Sequence, residues 1–290
     1  MPRTARTLTV TVAATVVAST ALSMLTATTS PADPIAGKPK PGVQVSTDPQ
    51  QLSVVGLPCF PGLLNLTMTN TQREGLYADL TLDPTGPLQL SRDLFSSYLP
   101  PAQPVSAPVE VRVPRDAKPG KYRIELEADR TKVSVPVQVD PLPPKTPGSN
   151  VALGEQAAAS STHGNFALCG AVDGDSDSEH WDTLTGWNDG TRAVWPDTYD
   201  VALATPATIE RVELYTLDSV KYPAATNGLR DWDVQVRSGN NDWRTVAEVR
   251  GNTLGHVTST FAPTPADAVR ILALAGNGNT YSRIVELEVY

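Results

Sequence analysis

Three aspartates in the second half of the chain occupy every second position of one short loop. Asp173, Asp175 and Asp177 are separated by Gly174 and a serine. Clustered carboxylate oxygens on a tight loop suit a hard cation such as Ca²⁺. An EF-hand is excluded, because its sixth position, counted from Asp173, is Ser178 rather than glycine. The loop is therefore a candidate calcium site, and a solvated acidic turn without metal is the alternative.

Aromatic and hydrogen-bonding residues recur in three later segments, 186–199, 216–231 and 276–283. Sugars bind by stacking an apolar ring face on an aromatic side chain while polar groups hydrogen-bond the hydroxyls. The candidate ligand-binding residues are Trp187, Asn188, Asp218, Tyr222, Asn227, Arg230, Asn277, Tyr281 and Arg283. Trp187 and Tyr222 are the best candidates for the stacking ring, although core packing is the alternative for every tryptophan.

Motifs typical of catalytic sites are missing from the sequence. There is no Gly-x-Ser-x-Gly elbow, no His-Glu-x-x-His motif and no cysteine pair at zinc spacing. His163, His180 and His256 lack metal-binding spacing and are expected to be surface groups, although His163 could also contact a sugar. Paired acids for glycoside hydrolysis are an alternative, because 31 acidic residues are present. Two small domains nevertheless provide a small scaffold for a glycosidase.

Composition divides the chain and narrows the classes of partner. The 290 residues suffice for about two domains. Most of the 26 prolines lie before residue 150, whereas all five tryptophans lie after residue 180. The net charge of −8 argues against nucleic acid as the main partner and against a polybasic membrane-surface protein.

The N-terminal residues have the pattern of a secretory signal peptide. Arg3 and Arg6 precede an uncharged run over 8–27, and a Ser-Pro-Ala tripeptide permits cleavage just before Asp33. The alternative is a retained membrane span, but the run is rich in Thr, Ser and Ala, and no positive cluster follows it. We therefore expect a signal peptide over 1–32 and a secreted, extracellular protein.

Cys59 and Cys169 are the only cysteines of the chain. Outside the cytosol two thiols favour a disulfide, and the alternative is one buried free thiol in each half. The bond would close a loop of about 110 residues and would stabilise the fold by roughly 4–5 kcal/mol.

Strict alternation of apolar and polar residues predicts an all-β first domain over 43–140. The clearest segments are 63–70, 107–114, 121–129 and 132–140. Together they predict a sandwich of about seven short strands. Pro136 lacks an N–H for a strand ladder, so its strand is expected at a sheet edge.

Two proline-rich stretches flank this domain, a tether over 33–42 and a semi-rigid linker over 141–149. Alternation resumes in 231–238 and 283–290, and the nearly continuous apolar run 268–276 predicts a central strand. Strands recur about every 10–20 residues with long polar loops between them, which suggests a jelly-roll sandwich with function on its loops.

Three sequence blocks in the second half carry a resemblance to a known family. NVALGEQAAASSTH (150–163), AVDGDSDSEHW (171–181) and YSRIVELEVY (281–290) resemble the discoidin domain. This is the coagulation factor five/eight type C superfamily, which is similar to the galactose-binding-like carbohydrate modules. The resemblance covers 150–290 and implies a non-catalytic jelly-roll β-sandwich that binds glycans through loops at one end. Some members bind phospholipid head groups or proteins instead.

The resemblance also implies a set of calcium ligands. In the carbohydrate modules of the family the matching acidic loop often holds a structural calcium, completed by a glutamate near the chain end. The implied ligands here are Asp173, Asp175, Ser178 and Glu286, with main-chain carbonyls supplying the rest.

The first half resembles a second family more loosely. PRDAKPGKYRIELEA is similar to the ending of Ig-like accessory domains found beside such modules. The resemblance implies an Ig-like β-sandwich over 43–140.

These observations favour a secreted, non-catalytic carbohydrate-binding protein. The excess of negative charge favours a neutral glycan, although a local pair of Arg230 and Arg283 could override it. The alternatives are a cell-surface or matrix adhesion module that binds a protein, and an unrecognised glycan-active enzyme. Exposed loop aromatics beside Asn and Arg would favour a sugar, whereas a flat apolar patch of several hundred Å² would favour a protein.

Overall fold

The computed structural model describes residues 42–183, 185–239 and 242–290. The predicted signal peptide, 1–32, and the predicted tether up to residue 41 lie outside the described residues. Among the residues that are described, no helix has the length and apolar character needed to cross a membrane.

The described chain is nearly all β, which confirms the predicted all-β class. The strands are β1 (Val43–Asp48), β2 (Leu52–Val55), β3 (Gly62–Asn70), β4 (Leu76–Pro84), β5 (Gln89–Leu90), β6 (Leu94–Leu99), β7 (Pro104–Arg112), β8 (Gly120–Ala128), β9 (Thr131–Asp140), β10 (Gln156–Ala159), β11 (Trp187–Asn188), β12 (Asp197–Tyr215), β13 (Leu229–Arg237), β14 (Arg244–Val249), β15 (His256–Gly276), β16 (Arg283–Ile284) and β17 (Glu286–Val289). The helical segments are α1 (Ala224–Asn227) and the 3-10 turns Leu168–Val172, Ser178–Thr183 and Asn277–Asn279.

The first domain, β1 to β9, consists of two sheets around one core. Their strand orders are β1-β3-β7-β5 and β2-β9-β8-β4-β6. The predicted alternation holds: Val109 and Val111 of β7 are buried against Ile124 and Leu126 of β8. Each such side chain contributes about 1.5–3 kcal/mol of burial free energy. The described domain has nine strands rather than about seven, because short β2 and β5 join the sheets.

The prediction that Pro136 marks an edge strand is wrong. Its strand, β9, lies between β2 and β8. However, β2 begins opposite Val137, with Leu52 as its first partner, so the part of β9 that contains Pro136 is paired only with β8. The missing N–H is tolerated because the neighbouring strand on the other side starts one residue later.

The second domain is built on the sheet β10-β12-β15-β13-β14, with β17 also paired to β12. The apolar run 268–276 lies in β15, between β12 and β13, which confirms the predicted central strand. Trp232 of β13 is fully buried in the core of this domain. A separate ribbon of β11 and β16 pairs Asn188 with Arg283, and this ribbon positions the candidate site.

The two domains are joined covalently and by a buried ion pair. Cys59 and Cys169 form a disulfide with a Cα–Cα distance of 5.3 Å, as predicted. Glu155, with a side chain only 1% exposed, accepts two hydrogen bonds of 2.9 Å from Arg115 and one of 3.3 Å from Lys145. Because a buried carboxylate needs cationic partners, this junction fixes the start of the second domain against the first.

Candidate ligand-binding site

A cavity of about 180 Å³ opens between the loop after β10, the β11–β16 ribbon and the segment after β12. Its lining residues are His163, Phe166, Trp181, Asn188, Leu217, Tyr222, Tyr281 and Arg283. Four of the predicted ligand-binding residues, Asn188, Tyr222, Tyr281 and Arg283, therefore meet at one place. His163 joins them from a loop far away in sequence.

Arg283 is held at the cavity wall by neutral groups. Its Nε donates to Asn188 Oδ1 at 3.0 Å, and its Nη1 donates to Asn227 O and Thr280 Oγ1, both at 3.1 Å. Burial lowers the pKa of the guanidinium, and the charge of Asp189 partly opposes this effect. The described residues provide no salt bridge to Arg283 and no hydrogen-bond partner for its Nη2. The guanidinium is thus oriented but incompletely satisfied.

Two buried carboxylates behind the cavity were not predicted as site residues. Asp189 is fully buried and accepts hydrogen bonds from Ser282 N at 2.6 Å and from Thr191 N at 2.7 Å. Asp197 accepts from Ser282 Oγ at 2.7 Å. Burial raises the pKa of both carboxyl groups. Since Ser282 lies between Tyr281 and Arg283, this network fixes the segment that carries both of them.

The sequence contains one signal for this role. Asp189 is followed by Gly190 and Thr191. In turns, the side chain of an aspartate commonly accepts a hydrogen bond from the main-chain N–H two residues later. That local signal predicts the bond to Thr191 but not the bond to Ser282, which is distant in sequence.

Aromatic rings form one wall of the cavity. The ring of Tyr281 meets His163 edge-on at 5.9 Å, and His163 meets Phe166 in the same way at 6.0 Å. Phe166 packs at 4.6 Å against the buried Trp181. Tyr281 is partly exposed, as is Tyr222 across the cavity, and their hydroxyls bond to none of the described residues. The cavity therefore offers ring surface together with unused hydroxyl groups.

The prediction that Trp187 is a stacking ring is wrong. Its side chain is 0% exposed, and its Nε1 donates to Ser161 O and Thr162 Oγ1, each at 3.1 Å. The ring packs against Tyr199 with 5.1 Å between centroids. Trp187 faces the core because burying its large ring there is favourable, while its neighbour Asn188 contributes to the cavity.

Asn277 and Asp218, both predicted ligand-binding residues, instead support the short helix α1. Asn277 is buried and its Nδ2 donates to Ala224 O at 2.9 Å. Asp218 Oδ1 accepts from Ala224 N at 2.8 Å. Both side chains are occupied by hydrogen bonds to main-chain groups of α1, so their role is structural.

Asn227 and Arg230 also lie outside the cavity lining. The Asn227 side chain donates to Pro223 O at 3.3 Å, and only its main-chain carbonyl contacts Arg283. Arg230 is exposed and pairs with Asp231 at 3.0 Å. The expected pair of Arg230 and Arg283 at one binding surface is therefore not formed.

In the acidic loop, Asp173 and Glu286 lie close together. Glu286 Oε1 accepts from Gly174 N at 3.2 Å, whereas its buried Oε2 has no hydrogen-bond partner among the described residues. Burial and the charge of Asp173 raise the pKa of Glu286 to about 9. Burial, supported by the charge of Asp175, also raises the pKa of Asp173. Two neighbouring carboxyl groups with raised pKa values, one of which has an orphaned oxygen, fit a bound cation at this point.

The predicted ligands Asp175 and Ser178 do not complete this site. Asp175 Oδ2 lies 2.7 Å from His180 Nδ1. Burial acts to raise the pKa of Asp175, but hydrogen bonds from His180 and Asp177 N lower it overall. Ser178 and the main-chain N of Asp218 are hydrogen-bonded at 3.1 Å. Within the described chain no three acidic, histidine or cysteine side chains are grouped so that they could hold a metal ion, so the four predicted ligands are not gathered at one point.

Comparison with known families identifies the second domain. Residues 156–287 match the family model of the F5/8 type C domain. The second domain is therefore a discoidin domain of this type, as the sequence blocks predicted. No curated protein sequence matches the chain.

Solved structures of carbohydrate-binding modules are similar to about half of the chain. CpGH89CBM32-5 from Clostridium perfringens, in complex with GalNAc-beta-1,3-galactose, is 22% identical over 49% of this chain and 99% of that module, with a TM-score of 0.40. Chitosan-binding module 1 from a Paenibacillus sp. IK-5 chitosanase/glucanase is 26% identical over 49% of this chain and 98% of the module, with a TM-score of 0.40. The family 32 module of Streptococcus pneumoniae EndoD is 21% identical over 49% of this chain and 99% of that module, with a TM-score of 0.42.

Proposed function

We propose that the protein is a secreted, non-catalytic glycan-binding protein whose discoidin domain binds sugar in the cavity lined by His163, Tyr222, Tyr281 and Arg283. The observation that carries the proposal is this cavity, which combines partly exposed rings with an oriented guanidinium in a discoidin domain. The signal-peptide pattern of 1–32 and the disulfide support an extracellular location.

The chemistry of the cavity suits a sugar. Ring surfaces cover an apolar sugar face, while the hydroxyls of Tyr222 and Tyr281 and the free Nη2 of Arg283 are able to bond sugar hydroxyls. The small volume of about 180 Å³ suits a terminal or short saccharide rather than a wide stretch of polymer. Weak binding at each site is expected, because few groups take part.

Catalysis is disfavoured by what lines the cavity. Glycoside hydrolysis uses two carboxyl groups on either side of the scissile bond. Among the described side chains that line the cavity there is no carboxylate. Asp189 and Asp197 lie behind it and are engaged with Ser282.

A glycan array tests the proposal. The mature chain, labelled at surface lysines, should be retained by a defined subset of glycans. Free sugar of the same structure should compete for that retention. If no glycan retains the protein while a cell-surface protein extract does, the adhesion-module alternative replaces this proposal.

We also propose that Asp173 and Glu286, helped by main-chain carbonyls, hold a structural calcium ion. The orphaned Oε2 of Glu286 and the raised pKa values of both carboxyl groups support a cation between them. A divalent ion there would neutralise the repulsion and join the acidic loop to the last strand.

Chelation should therefore lower the melting temperature, and added Ca²⁺ should restore it. An ion present at 100 times its Kd stabilises the folded state by about 2.7 kcal/mol. Glu286→Gln should melt at one temperature with or without Ca²⁺, because the buried charge that needs the ion is gone. Asp177→Asn, an exposed change on the same loop, should keep the response. Identical melts of the unaltered protein in chelator and in Ca²⁺ would refute the calcium proposal.

A further inference from the structure

Within the described chain Arg283 forms no salt bridge with a carboxylate, although it lines the cavity. Its three hydrogen bonds reach the neutral acceptors Asn188 Oδ1, Asn227 O and Thr280 Oγ1. By contrast, Arg115 and Arg270 form salt bridges with carboxylates at 2.9 Å and 2.7 Å. A partly buried cation is normally paired, because removal from water is costly without an anion. The Nη2 group at the cavity is the part of Arg283 that is still available.

The rest of the cavity supplies donors rather than anions. The hydroxyls of Tyr222 and Tyr281 are able to donate, and the Nε2 of His163 has no partner among the described residues. Arg283 is therefore the one permanently charged side chain among the described residues that line the cavity, even though the whole chain is acidic.

Asp189 forms no salt bridge with Arg283 within the described chain. Its charge acts on Arg283, but its own oxygens accept hydrogen bonds from Ser282 N and from Thr191. The carboxylate is fully buried behind the ribbon and does not line the cavity. An anion in the cavity would therefore meet the guanidinium without first meeting a carboxylate among the described lining residues.

We propose that the cavity prefers a sugar that carries an anionic group, a carboxylate or a sulfate, which accepts a hydrogen bond from Arg283 Nη2. This proposal rests on the glycan-binding function proposed above. It replaces the neutral glycan expected from the net charge, because a charge-assisted bond at contact distance outweighs repulsion that salt screens beyond about 8 Å.

Matched sugars test the preference. The probes are methyl galactoside, methyl galacturonide and methyl galactoside 6-sulfate, and the corresponding glucoside and glucuronide, titrated into the full mature chain. The acidic sugars should bind at least about tenfold more tightly than their neutral partners at low ionic strength. This advantage should shrink as salt is added. The galacturonide and sulfate titrations show which anionic group is preferred.

Variants assign the preference to one residue. Arg283→Gln should remove the advantage of the acidic sugars, and Arg283→Lys should retain part of it. Arg230→Gln, an exposed arginine outside the cavity, should change nothing. If Arg283→Gln does not fold, the Arg283→Lys variant and the salt dependence of the unaltered protein test whether Arg283 causes the preference for acidic sugars. Equal or tighter binding of the neutral sugars would overturn the anionic preference and leave glycan binding intact. Failure of every sugar on both the array and the titrations would overturn the proposed function as well.

Discussion

Loss of the Cys59–Cys169 bond should lower the free energy of unfolding by roughly 4–5 kcal/mol. The two cysteines are 110 residues apart, so the bond removes much of the freedom of the unfolded chain. It also ties Cys59, in the first domain, to the turn Leu168–Val172, just before the acidic loop. A loss of this size is comparable to the whole stability of a marginal domain.

Urea unfolding of Cys59→Ala, Cys169→Ala and the double variant, all under non-reducing conditions, measures this effect. The three variants should lose similar stability, because each lacks the same bond. Additive losses from the two single variants would show that packing of the separate side chains dominates. An unfolding midpoint equal to that of the unaltered protein would contradict the prediction.

Replacing Tyr222 and Tyr281 together by alanine should abolish glycan retention. Each ring supplies apolar surface and a hydroxyl to the cavity, and each truncation should cost about 1–2 kcal/mol of binding free energy. The double variant should therefore bind on the order of 100-fold more weakly. Its melting temperature should change little, because both side chains are partly exposed in the folded protein.

A matched control is available in the first domain. Tyr77 is 85% exposed on β4, far outside the residues that line the cavity. Tyr77→Ala removes the same side chain and should leave retention unchanged. Undiminished retention of the Tyr222→Ala/Tyr281→Ala protein, or loss of retention in Tyr77→Ala, would place the binding surface elsewhere.

The strands could be predicted from the sequence because alternation is a local signal. Val109 and Val111 point inward and Arg112 is exposed, as the period of two requires. The signal failed where both faces are covered. Trp187 and Asn188 are adjacent and both buried, so alternation could not reveal that only one reaches the cavity.

Long-range pairing was less predictable. Alternation in the last strand directs Glu286 away from the core, yet it is fully buried beside Asp173. The sequence allowed the acidic loop to be recognised as a group of carboxylates. It did not allow the hydrogen bond between Asp175 and His180 to be predicted. Side-chain partners of this kind depend on the tertiary fold rather than on sequence spacing.

The charge of the whole chain was a poor guide to the charge of its cavity. The expectation of a neutral glycan came from the net charge of the mature chain, which is −10 once Arg3 and Arg6 are removed from a sequence of net charge −8. This value counts residues on every surface. Most arginines in the second domain, such as Arg237 and Arg250, are paired with acids. Among the described residues no acid forms a salt bridge with Arg283. Its position at the cavity matters more for a bound sugar than the net charge of the whole chain.

A crystal structure of the mature chain soaked with a glycan that it retains on the array would show where the sugar binds. We expect a sugar ring between Tyr222 and Tyr281, with a polar group hydrogen-bonded to Arg283 and within reach of His163. A sugar bound on the first domain or on the sheet faces of the second, with this cavity left empty, would contradict it.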